Sequence, residues 1–224
     1  MTTSPAAPPL TPEPDACLAQ AVQAFCSGAG QPPQGKALTA ALLALERSAK
    51  QTRRAIAADA LLGTWRLCFS AAKKAKYQSG QPVGSGFYMP QWAIAHLTFA
   101  PDVANPDQLT ITNTLQLGWL TIRFTGPARY PGKQNLLAFD FTQLTVACAG
   151  WTLYQGAVPN AKRAGKPFAT LEIAQLPFFA FFAATDQYIA ARGRGGGLAL
   201  WVKPTPSTAA ASAPAAVNRP EKSQ

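Results

Sequence analysis

Beyond residue 63 apolar side chains recur at every second position in short runs separated by turn signals, and no helix-period pattern between them is long enough to return the chain to a parallel neighbour. Trp65, Leu67 and Phe69 alternate with Thr64, Arg66 and Cys68, as a strand with one covered face requires. Further strand patterns occupy 86–88, 91–99, 108–115, 119–125, 136–146, 168–176, 187–192 and 197–203. Turn signals such as NPDQ (105–108) and YPGKQN (130–135) part them. Parallel strands need a crossover of about a dozen residues or more, usually a helix. The sheet is therefore expected to be antiparallel, and its eight to nine strands favour closure into a barrel, which removes free edges.

Upstream the period is that of a helix. Two helical patterns, 15–27 and 36–62, are interrupted by GAGQPPQG, which cannot continue a helix. Asp15 is the candidate cap of the first. In the second, Leu38, Leu42, Leu45, Ala49 and Ile56 form an apolar stripe opposite Arg47, Lys50 and Arg54. That basic side either faces solvent or meets an anionic surface. Residues 1–14 hold five prolines, and 204–224 are rich in Pro, Ala and Ser, so both read as tails. The expected organisation is a tail (1–14), a helical segment (15–62), a β-barrel (63–203) and a second tail (204–224). The fold class is mainly β with N-terminal helices.

Composition narrows the chemistry. Twenty Lys and Arg against ten Asp and Glu leave a net charge of +10, which suits an acidic partner. The only histidine, His96, excludes His-cluster metal sites, and the four cysteines, without Cys-x-x-Cys spacing, read as reduced and buried. No nucleophile elbow, phosphate loop or paired-carboxylate motif occurs. Asp140, Glu172, His96 and Tyr188 offer no inward polar cluster, so the reading is a protein without catalytic residues, metal or cofactor. The opening residues carry no secretory or transit pattern, so the chain is expected to remain where it is made. No run reaches the ~20 apolar residues of a membrane-spanning helix, so membrane contact is expected to be peripheral.

The asset that stands out is the apolar set on alternating strand positions. Trp65, Leu67, Phe69, Phe87, Trp92, Ile94, Ile122, Phe124, Phe139 and Phe141 are the candidate ligand-binding residues, with Leu109, Ile111, Leu120, Leu198 and Leu200 on the same pattern. An eight-stranded barrel either fills with its own side chains or holds one small ligand. At about 25 cal/mol per Å² of apolar surface buried, an isoprenoid chain would bind without a hydrogen bond. LPFFAFFAAT (176–185) offers Phe178, Phe179, Phe181 and Phe182 as membrane-contact candidates. It reads either as a plug over the barrel mouth or as an aromatic edge entering a lipid interface beside Lys162, Arg163 and Lys166. The basic segment 71–86 is either a solvated loop or an entrance flap. RGRGGG (192–197), a single copy between strand patterns, reads as a glycine-rich hairpin, which argues against nucleic-acid binding.

Two segments carry a family resemblance. LLALERSAKQTRRAIAADALLGTWRLCFSA (42–71), with Leu45-Glu46, Leu61-Leu62, Gly63, Trp65, Leu67 and Phe69-Ser70, resembles the start of the plastid lipid-associated proteins, the plant and cyanobacterial fibrillins. DQYIAARGRGGGLALWVK (186–203), through Arg192, Gly193, Gly195 and the apolar strand 198–202, is similar to that family's closing motif. The Asn-Pro usual after the helix is missing, and Phe181-Phe182 replace an expected Trp-Leu. The resemblance implies a lipocalin-like barrel. Its partner would be a hydrophobic small molecule of the isoprenoid, carotenoid or quinone class, and its location the cytoplasm with peripheral attachment to thylakoids, as in a cyanobacterial member. The Gly63-x-Trp65 element also resembles that of lipocalins, which implies a cation-π contact of Arg192 with Trp65. The alternative is a docking module with a filled barrel and no ligand.

Overall fold

The computed structural model describes residues 13–103, 105, 108–158 and 168–204. The basic residues Lys162, Arg163 and Lys166 and most of both tails lie outside the described residues. Helices α1 (Pro14–Ser27) and α2 (Gly35–Thr52) come first. The strands follow in chain order: β1 (Gly63–Ala71), β2 (Lys76–Gln78), β3 (Gln81–Val83), β4 (Gly86–Tyr88), β5 (Ala93–Pro101), β6 (Leu109–Leu117), β7 (Leu120–Arg129), β8 (Leu136–Phe139), β9 (Gln143–Cys148), β10 (Trp151–Ala157), β11 (Phe178–Ala184), β12 (Tyr188–Gly193) and β13 (Leu198–Val202).

Glu13, not Asp15, stands at the N-cap position of α1, without a side-chain capping hydrogen bond; Pro14 takes the first turn, where its missing N–H costs nothing, and Gly28 ends the helix in the left-handed conformation. α2 stops at Thr52, short of 62, because Arg53 adopts φ 49° and turns the chain away. Ile56 therefore leaves the helical stripe and joins the base of the barrel.

β1, β5, β6, β7, β8, β11, β12 and β13 pair in a ring, antiparallel throughout, and close a lipocalin-like eight-stranded barrel. Closure depends on one strand with two partners along one edge. Ala128 and Arg129 of β7 pair with Phe139 and Ala138 of β8, while residues 120–125 of β7 pair with β9. β8 and β9 thus follow one line along β7, which is why 136–146 reads as a single strand. They part at 140–142 because the next neighbour outward changes, from β11 beside β8 to β10 beside β9. The ring closes at the level of β8, and β9 and β10 rise from it as a flare. At the fork Gly126 backs onto the passing chain, where a Cβ would stand 1.8 Å from the Asp140 carbonyl oxygen. Asp140 N–H donates to Pro127 O and Thr142 N–H to Thr125 O, each at 3.0 Å.

Two apolar layers share the inner strands. α1 and α2 lie on the outer face of β1, β12 and β13, where Leu18, Leu38 and Leu42 meet Phe69, Ala190, Leu198, Leu200 and Val202. A bulge between Leu67 and Phe69 shifts the register of β1, so Phe69 turns to the helices while Trp65 and Leu67 stay inside. Leu198 and Leu200, expected inward, are likewise buried beneath the helices.

Two stretches differ from the sequence pattern. Residues 168–176 form 3-10 turns at Phe168–Thr170 and Ile173–Gln175 instead of a strand. Leu171 and Leu176 close over Ala138, and the Arg129 guanidinium donates to the carbonyls of Ala169 and Leu171. LPFFAFFAAT is neither plug nor exposed edge, because it supplies strand β11 of the ring. RGRGGG is the turn joining β12 to β13.

One buried ion pair ties the helices to the barrel. Glu46 of α2 accepts from Arg192 Nε at 2.8 Å and Nη2 at 2.6 Å and from Lys50 Nζ at 2.8 Å. Arg192 also donates to the carbonyls of Ala75 and Gly196, so a single guanidinium holds α2, the turn before β2 and the β12–β13 hairpin. Burial alone would raise the Glu46 pKa, but the hydrogen bonds from Arg192 and Lys50 outweigh it and hold the carboxyl below its ordinary value.

Gly126→Ala is expected to lower the free energy of unfolding by about 3 kcal/mol in urea titrations, because backbone faces the new methyl group. Gly195→Ala, where nothing lies within 4 Å, serves as the near-neutral control. Glu46→Gln is expected to lower stability at neutral pH by about 3 kcal/mol, as breaking a buried pair does. Since the folded-state pKa of Glu46 is depressed, its contribution is complete above its ordinary value of 4.5 and is lost as pH falls through the folded value. The wild type is thus expected to lose this increment on acidification and the Gln variant to lack that loss, measured by chemical denaturation across pH.

Candidate functional site

The base of the barrel is sealed. Gly63, at φ 107°, turns the chain into β1, and two residues on the Trp65 indole N–H donates to Leu61 O at 2.8 Å. Tyr130 Oη donates to Ile56 O at 2.8 Å, and Asn135 accepts from Ile56 N–H and donates to Arg54 O, which stitches the segment after α2 across the opening. Burial pushes the Tyr130 hydroxyl up to about 12. The cation over Trp65 is Lys203, with Nζ 4.7 Å from the ring centroid, in place of the expected Arg192. The reason is strand parity: Ile189 and Ala191 face the interior, so Arg192 points outward to Glu46.

The middle of the barrel is filled. Phe99, Ile111, Leu137, Phe139, Phe181 and Trp201 are buried there. The Phe139 and Phe179 rings stack at 5.0 Å, Phe179 meets Trp201 edge-on at 5.4 Å, and Phe99 meets Phe181 at 6.0 Å.

The other end is open. Leu67, Phe141, Phe179 and Ala199 pack against the interior cluster, and Phe124 meets Phe141 at 5.6 Å, yet all five are only half-buried. An inward side chain in a closed ring meets water only through an open end, so these residues line a mouth. Their face continues onto the flare. Phe124 pairs with Leu144, Ile122 with Val146 and Leu120 with Cys148, and these in turn with Gly156, Tyr154 and Trp151. Strand register puts each set of partners on one face, so an apolar surface runs unbroken from the barrel lining to the edge strand β10. Tyr154 is 43% exposed and Trp151 78%.

The structure brings Trp65, Leu67, Ile122, Phe124, Phe139 and Phe141 to the interior or its mouth, as the alternation suggested. It takes four others elsewhere. Phe69 lies under the helices, Ile94 faces outward because Ala93, Leu97 and Phe99 face inward, and Phe87 and Trp92 are exposed at 60% and 70%. Of the four membrane-contact candidates, Phe179 and Phe181 line the interior, Phe182 packs beneath the helices and Phe178 sits beside Leu176. The segment 71–86 folds into the β2–β3 hairpin, whose Tyr77 ring lies 5.3 Å from the Arg47 guanidinium of α2. Three features escaped the sequence reading: the ion pairing of Glu46, strand β10, and the exposed indoles of Trp119 and Trp151. The available signals were an acid on the apolar side of a helix and the β-favouring run Trp151 to Tyr154 after a Gly turn.

The polar candidates do not converge. His96 pairs across the sheet with Arg66; burial, aided by that guanidinium, lowers its pKa and keeps it neutral at pH 7. Asp140 lies at the β7 fork, Glu172 in the turns over Ala138, and Tyr188 on the helix side at the base. Among the described residues no three His, Cys, Asp or Glu side chains form a metal-binding group. All four cysteines are free thiols; Cys17 and Cys68 are buried, Cys26 and Cys148 half-buried. Burial pushes the Cys68 thiol up to about 12. No helix among the described residues is long and apolar enough to cross a membrane.

Comparison with known proteins finds no matching family model, no matching curated protein and no matching solved structure.

Trp65→Ala is expected to cost about 4 kcal/mol by opening a cavity in the sealed base. Lys203→Gln, which removes only the cation over the ring, is expected to cost about 1 kcal/mol in the same denaturation assay.

Proposed function

We propose that the protein binds a hydrophobic small molecule at the mouth of its barrel, against the apolar face shared by the ring and the flare. One observation carries the reading: the half-exposed Leu67, Phe124, Phe141 and Phe179 beside the filled interior share a face with Ile122 and with Leu144 and Val146 of the flare, which ends at the exposed Tyr154 and Trp151. Removing such a surface from water at about 25 cal/mol per Å² supplies the affinity. The filled middle confines the guest to the upper barrel and the flare, which suits a flexible chain or flat ring lying across the mouth better than one inserted to the base.

The finer reading is an isoprenoid lipid, carotenoid or quinone held at a photosynthetic membrane. It is supported by the resemblance of 42–71 and 186–203 to the plastid lipid-associated proteins, and both motifs enter the Glu46–Arg192 tie. A second reading, a docking module without a ligand, draws on the tight filling around Phe99, Ile111 and Trp201.

Protein purified from its native cell is expected to yield one or more such molecules in an organic extract by mass spectrometry, in an amount comparable to the protein. Ile122→Glu, at a half-buried position of β7 beside the flare, is expected to reduce bound ligand about tenfold or more with little change in melting temperature. An empty extract, together with no saturable quenching of intrinsic fluorescence by a short-chain quinone, would favour the docking module.

A further inference from the structure

We infer that the upper edge of the sheet, from the start of β5 through the β6–β7 turn to the β9–β10 turn, is a membrane-docking edge, in which Trp92, Trp119 and Trp151 sit in the interface of a bilayer containing anionic lipid. This deepens the peripheral membrane attachment proposed above and does not depend on the mouth being occupied.

The three indoles come from distant parts of the chain and are gathered by the sheet. Ala93 pairs with Leu117, which sets Trp92 beside the β6–β7 turn that carries Trp119. Ala149 N–H donates to Trp119 O at 2.9 Å, and Cys148 pairs with both Leu120 and Trp151, which brings the β9–β10 turn alongside. Their exposures are 70%, 83% and 78%, and among the described residues none makes a ring contact or a side-chain hydrogen bond. The other two of the chain's five tryptophans, Trp65 and Trp201, are buried in the barrel. An indole has an apolar body and one N–H donor, so neither bulk water nor a dry core satisfies both parts. The headgroup region of a bilayer does. Gathered at adjacent strand ends and each at least 70% exposed, the three form a rim at the top of the sheet.

Charge identifies the surface as anionic. Segments 89–95, 115–123 and 143–157, which make up the rim, contain no Asp or Glu, and no acidic residue occurs anywhere between Asp59 and Asp102. The pairing of Ala71 with Leu198 puts the turns at 72–76 and 194–197 at the same end of the barrel as the start of β5 and the end of β6. There Lys73, Lys74, Lys76 and Arg194 are exposed. Such cations are drawn to the negative surface of an anionic bilayer. Indoles on one side of the mouth and cations on the other would turn the opening towards the lipid.

β10 is the last strand of the sheet path, and its outer edge has no strand partner among the described residues. Pairing of two copies through that edge is therefore the competing occupant.

The test uses the full chain with vesicles of phosphatidylcholine alone and with added phosphatidylglycerol, read by co-sedimentation and indole emission. Wild-type protein is expected to bind the anionic vesicles with a blue shift and with quenching by lipids brominated near the glycerol. Trp92→Ala/Trp119→Ala/Trp151→Ala is expected to lose about tenfold or more in partitioning while keeping circular dichroism and melting temperature. Lys73→Gln/Lys74→Gln/Lys76→Gln is expected to lose the preference for anionic over neutral vesicles. Equal partitioning of the tryptophan variant and wild type would overturn the inference, as would absence of wild-type binding. So would a wild-type dimer in sedimentation velocity that the tryptophan variant abolishes. Vesicle binding with an empty organic extract would leave the docking edge standing and remove the ligand, so the two ideas fail separately.

Discussion

The architecture depends on how closely two backbones approach at Gly126. The lower part of β7 accepts β8 and closes a ring, while the upper part accepts β9 and opens a flare, and the chain between them passes over the one position in β7 that lacks a Cβ. With any larger residue the Asp140 carbonyl would have to move, and with it the change of neighbour from β11 to β10. A sheet that closed along its whole height would have buried Phe124, Phe141 and Phe179 as completely as Phe99. The exposed mouth therefore follows from a backbone contact, whereas the side chains that line it were already apolar.

A second constraint comes from outside the ring. Strands β1, β12 and β13 are covered on both faces, by the barrel contents within and by α1 and α2 without. Both layers are apolar and give no direction to the packing. The Glu46–Arg192 pair supplies direction, because a carboxylate buried at that depth keeps its charge only where a guanidinium meets it with two hydrogen bonds. The same guanidinium reaches the carbonyls of Ala75 and Gly196, so the orientation of α2, the hairpin it covers and the β12–β13 turn are set together.

The aromatic residues divide by exposure into three groups with different work. Phe99, Phe181, Trp65 and Trp201 fill the barrel, Phe124, Phe141 and Phe179 line its mouth, and Trp92, Trp119 and Trp151 stand beyond it. The gradient runs along one axis from a hydrogen-bonded base to a rim whose segments carry no acidic residue. It matches a protein that meets something apolar at that end and has its stability built at the other.

Much of this was legible in the residues. The alternation after Gly63, the turn signals and the missing crossover helices determined an antiparallel barrel preceded by helices, because period and connection length are local properties of the chain. The same reasoning identified Ile122, Phe124, Phe139 and Phe141 as one set. It could not determine which way Phe69 points, since a one-residue bulge inverts the face and leaves no trace in composition. Nor could it separate Leu198 and Leu200 from an interior lining, because a strand buried on both sides shows apolar residues everywhere. LPFFAFFAAT has too little alternation to read as a strand, and only its place between β8 and β12 makes it one. The union of Trp92, Trp119 and Trp151 at one rim, and of Glu46 with Arg192 across 146 positions, came from tertiary structure alone, because pairing register brings together residues whose separation in sequence carries no sign of it.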